Sequence, residues 1–264
     1  AAIVPPRTGR PIHTPGDVTR MKVAFENVDL SQPDLQGAGQ TVSGNEVEVT
    51  GAFGGPAEPE PGDLAPYTRP ELFIESDAPE LVEEARKAVG TAAGASLKAE
   101  RLVRHVNALL EKKPTVSLPS AREVFRTGVG DCNEHTVLYV ALARAAGVPA
   151  RIAVGLVFLR GAFYYHAWPE VYLDDAKGGP RWAAVDPTLN QFPADATHVR
   201  LARGGLDRQT VILSLIGRAK ARIVSYDVPA GTTPVLVGNP QSRSPMLVDL
   251  PRKEKGGCWS QPAR

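Results

Sequence analysis

The feature that most constrains this chain is an apolar helical run directly behind a glycine-rich turn. Residues 127–151 read TGVGDCNEHTVLYVALARAAGVPAR. We predict a helix that begins at Cys132 and ends at Gly147, because a glycine followed shortly by proline is a common way to leave a helix. Since apolar residues dominate the run, we expect the helix to lie buried at the centre of the fold.

Two more helices are predicted ahead of this run. Residues 78–90 and 96–113 carry apolar residues at helical spacing, with Ser96 as a predicted N-cap and Gly90 as a stop. A third, short helix is expected just before the glycine turn, in PSAREVFRTG. There Ser120 and Glu123 stand at capping-box spacing.

The residues behind the central helix change to a strand pattern. Three segments rich in β-branched and aromatic residues follow one another, separated by RG and by DDAKGGP: they are ARIAVGLVFL, AFYYHAWPEVYL and RWAAVDPT. Short polar connections of this kind are typical of an antiparallel meander. Helices followed by an antiparallel sheet predict an α+β fold.

The remaining residues divide the chain into three predicted parts. Residues 1–70 are rich in Pro and Gly and form a β-rich extension with a linker, residues 71–228 form the core, and residues 229–264 form a mobile tail. Within these parts, strands are expected in 21–30 and 41–53, the linker in 54–66, a further helix in 206–217 and a closing strand in 222–229.

Charge and hydropathy exclude several classes of partner. The chain has 30 Lys and Arg against 29 Asp and Glu, so it carries no basic surplus for nucleic acid or anionic membranes. No apolar run approaches the roughly 20 residues that span a bilayer. If the alanine at position 1 reflects processing, the protein would be periplasmic or secreted.

The two cysteines have different expected roles. A bridge between Cys132 and Cys258 would tie the middle of the chain to its polar tail, so we expect Cys132 to be a free thiol and Cys258 an exposed spare thiol. At the head of a helix, the dipole and unpaired N–H groups lower the pKa of a thiol. Gly128 and Gly130 would permit close approach and Asp131 could cap the helix, which would leave Cys132 exposed with its own N–H facing a developing oxyanion.

A thiol nucleophile needs an imidazole to exchange its proton and a carboxylate to hold that imidazole. His166 and Asp186 are the candidates. If their strands pair about a turn centred on Ala176, the two residues lie opposite each other on one face of the sheet. His135 follows Cys132 by three residues, but a base on the same helix would point along it, so we expect it to support the site or to pack against the sheet.

Each candidate also has a plain structural interpretation. Cys132 could be a buried structural cysteine, His166 a member of an aromatic cluster, and Asp186 a turn residue before proline. The cluster would include Tyr164, Tyr165 and Trp168, and we interpret Trp168 as a wall that shields the ion pair. Asn133 and Glu134 either line the cleft mouth or form a solvated first turn.

A metal site is not expected, and neither is a cofactor. Asp195 and His198, taken with Cys132, do not supply the close-spaced ligands of a zinc site, so we expect them to organise the loop after Asp186. Residues 37–46, GAGQTVSGNE, contain glycines but lack the strand-to-helix context of a nucleotide-binding loop.

Three motifs in order, GDCNEHT with GVPAR, then YHAWPEVY, then WAAVDPT, resemble the transglutaminase-like superfamily and in particular its bacterial-type domain proteins. The resemblance covers roughly residues 70–228. It implies a variant of the papain-like cysteine protease fold, with the helix that carries the cysteine packed on an antiparallel sheet that carries His and Asp. It also implies that Cys132 is the nucleophile, His166 its general base and acid, and Asp186 the orienting carboxylate.

The chemistry that this resemblance implies is acyl transfer on the amide or isopeptide bond of a peptide or protein. Water as acceptor makes the protein a cysteine peptidase or amidase, and a lysine amine makes it a crosslinking transglutaminase. Hydrolysis is favoured, since the bacterial members of the superfamily resemble peptidases more than crosslinkers. A binding module that retains the fold without turnover is the alternative from another class.

Overall fold

In a computed structural model of the protein, the residues described are 2–3, 17–31, 35–51, 53, 62–114, 120–204 and 219–229. The helix predicted for residues 206–217, the tail beyond residue 229 and Cys258 lie outside these ranges.

The described residues form four α-helices and eleven strands. The helices are α1 (Pro79–Val89), α2 (Ala95–Leu109), α3 (Ala121–Thr127) and α4 (Cys132–Ala145), with a 3-10 turn at Ala65–Tyr67. The strands are β1 (Ala2–Ile3), β2 (Arg20–Glu26), β3 (Gln40–Ser43), β4 (Glu46–Val49), β5 (Glu111–Lys112), β6 (Val129–Gly130), β7 (Ala150–Leu159), β8 (Ala162–Leu173), β9 (Arg181–Ala184), β10 (His198–Arg203) and β11 (Lys220–Asp227). The fold is α+β, as predicted. None of the helices in this part of the chain has both the length and the apolar character needed to cross a bilayer.

Helix α4 is the centre of the fold. Every residue from Glu134 to Arg144 is buried, because α1, α2 and α3 pack on one side of the helix while β7 and β8 pack on the other. The helix ends where Gly147 adopts a positive φ and Val148 N–H donates to the Ala143 carbonyl at 2.9 Å. The predicted central helix is confirmed.

The main sheet has the strand order β1-β8-β7-β10, with β9 pairing to β8. Antiparallel pairing of β7 with β8 and of β8 with β9 confirms the predicted meander. Strand β10, in a segment that the sequence analysis interpreted as loop, joins the other edge of β7. The segment between β9 and β10 therefore has to pass from one edge of the sheet to the other.

A second sheet, ordered β11-β2-β4-β3, combines strands from both ends of the described chain. Its apolar side is buried against the core through Met21, Val23 and Val47, which are fully inaccessible. Gln40 fastens it further, since its amide donates to the Arg200 carbonyl at 3.0 Å and accepts from the Arg200 N–H at 2.8 Å. The division at residue 70 stays a prediction, and these contacts cross it.

Helix α2 is shorter than its sequence pattern predicts. It ends at Leu109 rather than continuing to Lys113, and β5 leaves it to pair in parallel with β6. Glu111 N–H donates to the Gly128 carbonyl at 2.8 Å, and Lys113 N–H to that of Gly130 at 3.1 Å. This pairing between distant segments outweighs local helix propensity and anchors the chain just before α4.

Two predicted helix caps are wrong in detail. Helix α2 has Gly94 as its N-cap, and the Asp175 carboxylate from the β8–β9 connection accepts from Ser96 N–H at 2.9 Å. Ser120 does occupy the N-cap of α3, but its hydroxyl donates to Glu75 instead of forming a capping box. In both cases a carboxylate from a distant part of the chain replaces the local partner.

Candidate active site

The head of α4 is fixed by a capping box. Asp131 accepts from Asn133 N–H at 3.0 Å, and Glu134 accepts from Asp131 N–H at 3.0 Å. A side chain at Gly130 would come within 2.2 Å of the Glu134 Cβ, so only glycine fits there. The predicted cap by Asp131 is confirmed. Glu134 is buried within the box rather than lying at a cleft mouth or in a solvated turn, although the D-x-x-E spacing was visible in the sequence.

Cys132 occupies the first position of this helix, and two expectations about it are wrong. Its side chain is fully buried rather than exposed, and its sulfur is disulfide-bonded rather than free. Distance along the chain does not limit distance in space, so the position of Cys258 in the sequence was no ground for excluding a bridge. Cys258, the only other cysteine in the sequence, is among the residues not described.

The helix head lies beside strand β8. The Tyr165 hydroxyl donates to the Asn133 side-chain oxygen at 3.4 Å. These two residues are the immediate neighbours of His166 and Cys132 along the chain. The structure therefore brings the start of α4 next to the part of β8 that carries the histidine.

His166 and Asp186 form a fully buried pair. The His166 Nε2 lies 2.6 Å from the Asp186 Oδ2, and neither side chain has any exposed surface. Strands β8 and β9 pair about residue 177, as Glu170 opposite Ala184 indicates, and not about Ala176. The observed and the predicted register differ by two residues, which is one full side-chain repeat of a strand. His166 and Asp186 therefore still lie on the same face of the sheet. Asp186 itself lies two residues beyond β9, where its N–H donates to the Gln191 carbonyl at 2.9 Å.

The protonation of this pair follows from its contacts. Burial alone would raise the pKa of Asp186, but its interactions with the rings of His166 and His198 hold that pKa well below its usual range. An ionised carboxylate only accepts, so His166 carries a proton on Nε2. Its Nδ1 is buried, and among the described residues nothing hydrogen-bonds to it. The remaining lone pair of the ring is thus uncommitted.

A second histidine reaches the same carboxylate. His198 Nε2 lies 2.9 Å from the Asp186 Oδ2, while its Nδ1 lies 3.1 Å from the Asp195 Oδ1. Burial alone would lower the pKa of His198, but the two acids raise it to about 10. The expectation that Asp195 and His198 organise the loop after Asp186 agrees with these contacts. The direct bond between His198 and Asp186 was not predicted.

Trp168 packs against both histidines of the site. Its ring stacks on His166 with a centroid distance of 6.0 Å, and meets the His198 ring edge-on at 5.2 Å. The side chain is 1% exposed, and its role as a shield of the His166–Asp186 pair stays a prediction.

His135 has a different role. Its Nδ1 donates to the Asp131 carbonyl at 2.7 Å, and burial lowers the pKa of its imidazole. A neutral ring bonded to the helix terminus supports the capping box. The two rings that hydrogen-bond to Asp186 are those of His166 and His198.

One group of side chains has the donor types of a metal site. The nitrogens of His166 and His198 and an oxygen of Asp186 lie within 4.8 Å of one another. The hydrogen bonds described above already account for this closeness. The two ring nitrogens that face Asp186 lie at hydrogen-bond distance from its oxygen, so each carries a proton. A metal ion could bind these nitrogens only after both protons had left.

A buried acid next to this site was not predicted. Glu170, two residues beyond Trp168, accepts from Arg151 at 2.7 Å and from Arg203 at 3.1 Å, and also pairs with Arg200. Burial alone would raise the pKa of Glu170, but the three guanidinium groups keep it well below its usual range. The network joins β7, β8 and β10 and thereby fixes the strands that carry the two histidines.

Comparison with known proteins finds a family that the central segment resembles. Residues 82–187 match the Transglutaminase-like superfamily. A structure from Cytophaga hutchinsonii, provisionally described as a cysteine protease, is 20% identical over 81% of this chain and 87% of that one, with a TM-score of 0.49. The periplasmic domain of TgpA from Pseudomonas aeruginosa is 24% identical over 42% of this chain and 43% of that one, with a TM-score of 0.33. No curated protein matches the sequence significantly. Helix α4, His166 and Asp186 thus all lie within the segment, residues 82–187, that is similar to the Transglutaminase-like superfamily.

Proposed function

We propose that the protein is a cysteine-dependent peptidase or amidase in which Cys132, His166 and Asp186 act as a triad. The observation that carries the proposal is the hydrogen bond between His166 Nε2 and Asp186, which leaves the buried Nδ1 without a partner among the described residues. A base oriented in this way, on the strand beside the helix head that bears Cys132, is what a thiol nucleophile requires.

The sulfur has to be reduced before it can react. A dithiol supplies two electrons and two protons, which convert the disulfide into two thiols while the dithiol becomes a cyclic disulfide. His166 Nδ1 then takes the proton of the Cys132 thiol, and the thiolate attacks the carbonyl carbon of an amide. The oxygen that becomes negative lies at the N-terminus of α4, where the positive end of the helix dipole stabilises it.

Collapse of the tetrahedral intermediate breaks the C–N bond. The imidazolium of His166 gives its Nδ1 proton to the leaving amine, and the acyl group remains on Cys132 as a thioester. Water then attacks the thioester while His166 takes a proton from it, which releases a carboxylic acid and restores the thiol. The Nε2 proton stays on His166 throughout and is hydrogen-bonded to Asp186. The carboxylate therefore orients the ring and stabilises its positive charge without being protonated.

Selective alkylation tests the nucleophile. After reduction and removal of the dithiol, we expect iodoacetamide at mildly acidic pH to modify Cys132 faster than it modifies glutathione, because only a thiol of lowered pKa is a thiolate there. Peptide mapping by mass spectrometry locates the label. Cys132→Ser should abolish the fast reaction and Cys258→Ser should preserve it. Reaction of Cys132 at the rate of glutathione would refute an activated nucleophile.

The acceptor is tested separately. We take water as the acceptor because the sequence motifs resemble those of bacterial members, and the reduced protein is therefore expected to release ammonia or new amino termini from a glutamine-containing protein. A fluorescent primary amine is added to the same mixture. Its incorporation into the substrate in place of hydrolysis would identify a crosslinking enzyme, and neither product with any substrate would favour a binding module.

A further inference from the structure

We propose that His198 is a positioning residue of this site: held as an imidazolium between Asp186 and Asp195, it fixes the carboxylate that orients His166. The inference rests on the proposed function and extends it by one residue beyond the triad. Its basis is that each of the two ring nitrogens of His198 faces a different acid.

Counting protons assigns the charge of His198. Its Nε2 faces the Asp186 Oδ2 at 2.9 Å, and its Nδ1 faces the Asp195 Oδ1 at 3.1 Å and the Asp195 carbonyl at 3.2 Å. Carbonyl and ionised carboxylate oxygens accept and do not donate. A neutral imidazole has one N–H. Its other nitrogen would then point a lone pair at an oxygen that also offers only a lone pair. Only the imidazolium donates on both sides.

Burial makes this charge balance important. The side chains of His198, Asp186 and Asp195 are 1%, 0% and 4% exposed. Charges of one sign are costly at such sites unless an opposite charge offsets them. A cation between two acids offsets one of the two negative charges and attracts both, and the raised pKa of His198 follows from this attraction.

Asp195 is itself well anchored. Its Oδ1 accepts from Thr197 N–H at 2.8 Å and from the Thr197 hydroxyl at 2.5 Å, and its Oδ2 accepts from the Gln191 amide at 3.0 Å. His198 is paired opposite Val157 in the main sheet. The imidazolium is therefore held on one side by a fixed acid and, through its own backbone, by the sheet.

Asp186 lies beyond β9 in the connection to β10, where its backbone forms an isolated bridge with Gln191, so the orientation of its carboxylate depends on side-chain contacts. Its Oδ1 accepts from Leu189 N–H at 2.9 Å, and its Oδ2 is shared between the rings of His166 and His198. Removal of the His198 donor would leave one bond on Oδ2 and permit the carboxylate to turn. The ring of His166 would then lose its fixed orientation, which is the geometric requirement for proton exchange with sulfur.

Two substitutions separate positioning from general stability. His198→Leu removes both donors, while His198→Gln retains an amide N–H that can point to Asp186. We expect His198→Leu to lower kcat by about tenfold to a hundredfold, the range for residues that orient a catalytic group, with KM changed less than about twofold. His198→Gln should recover a substantial part of the loss. Equal kcat in wild type and both variants, or equal losses in both variants, would overturn the proposal.

A spectroscopic test does not depend on turnover or on the stability of these variants. In 15N-labelled Cys132→Ser protein, long-range 1H–15N correlation spectra should give His198 two protonated nitrogens between pH 6 and 8.5. The charged or titratable groups that face or flank it are Asp186 and Asp195 in the connection, His166 on β8, and Arg200 on β10, which is paired with Glu170. A single protonated nitrogen, or a nitrogen bound to a metal that co-purifies stoichiometrically, would overturn it.

The two experiments distinguish failure of this inference from failure of the proposed function. If the protein hydrolyses no amide and alkylation of Cys132 is slow, the function fails whatever the spectrum gives. If turnover is normal in His198→Leu, the triad stands and His198 has no positioning role.

Discussion

Without a reductant, the purified protein is expected to hydrolyse its substrate at least about a thousandfold more slowly than after treatment with a dithiol. Cys132 is disulfide-bonded. A disulfide sulfur has no proton for His166 to remove and cannot become the thiolate that attacks a carbonyl. Loss of the nucleophile from a triad costs that factor or more. The measurement pairs initial rates with thiol titration before and after reduction.

Removal of the second cysteine provides the control. Cys258→Ser leaves Cys132 as the only cysteine of the chain, so its activity should be independent of the dithiol, whereas Cys132→Ser should be inactive with or without it. Full activity of the untreated wild type, with no titratable thiol, would show that chemistry does not pass through Cys132. Activity in Cys132→Ser would lead to the same conclusion.

The central helix and the shared face of His166 and Asp186 could be predicted because both depend on short-range patterns. An apolar run closed by GVP predicts a buried helix, and even spacing within two adjacent strands predicts one face even when the turn centre is misplaced by one residue. The state of Cys132 could not be predicted in the same way, since a disulfide depends on which distant segments meet in space.

The contact between His198 and Asp186 depends on a connection whose course the sequence does not specify. That connection has to cross from β9, on one edge of β8, to β10, which pairs with β7. A run of Pro, Asp and Thr predicts turns but no direction. The sequence could therefore indicate that Asp195 and His198 belong to this loop, but not which acid the ring would meet.

Gly155 is a second position, besides the D-x-x-E spacing at the head of α4, where the sequence carried an indication that was not used. An isolated glycine within a strand suggests that another backbone approaches closely. It lies opposite His166 in β7, and a Cβ there would be 2.1 Å from the Val199 carbonyl oxygen. Because β10 approaches so closely, the rings of His166 and His198 lie 5.6 Å apart although β7 runs between their strands.

Asp186→Asn is expected to lower kcat by about a hundredfold to ten-thousandfold, the range seen when an orienting carboxylate becomes an amide. The two oxygens of Asp186 accept from three donors, which are His166, His198 and Leu189 N–H. An amide has one oxygen and one NH2 group. In either orientation its NH2 faces a donor, so at least one buried bond is lost and the tautomer of His166 is no longer fixed.

The same substitution at an exposed neighbour is the matched control. Asp174→Asn, in the exposed β8–β9 connection, should leave kcat unchanged. The free energy of unfolding from urea titration should fall by about 1–3 kcal/mol for Asp186→Asn, the cost of a buried polar group left unsatisfied, and by less than about 0.5 kcal/mol for Asp174→Asn. Normal turnover in Asp186→Asn would mean that the acid does not orient His166. A loss of stability with normal turnover would make the buried pair a structural ion pair, and the thiol would then have to be activated by the helix terminus alone.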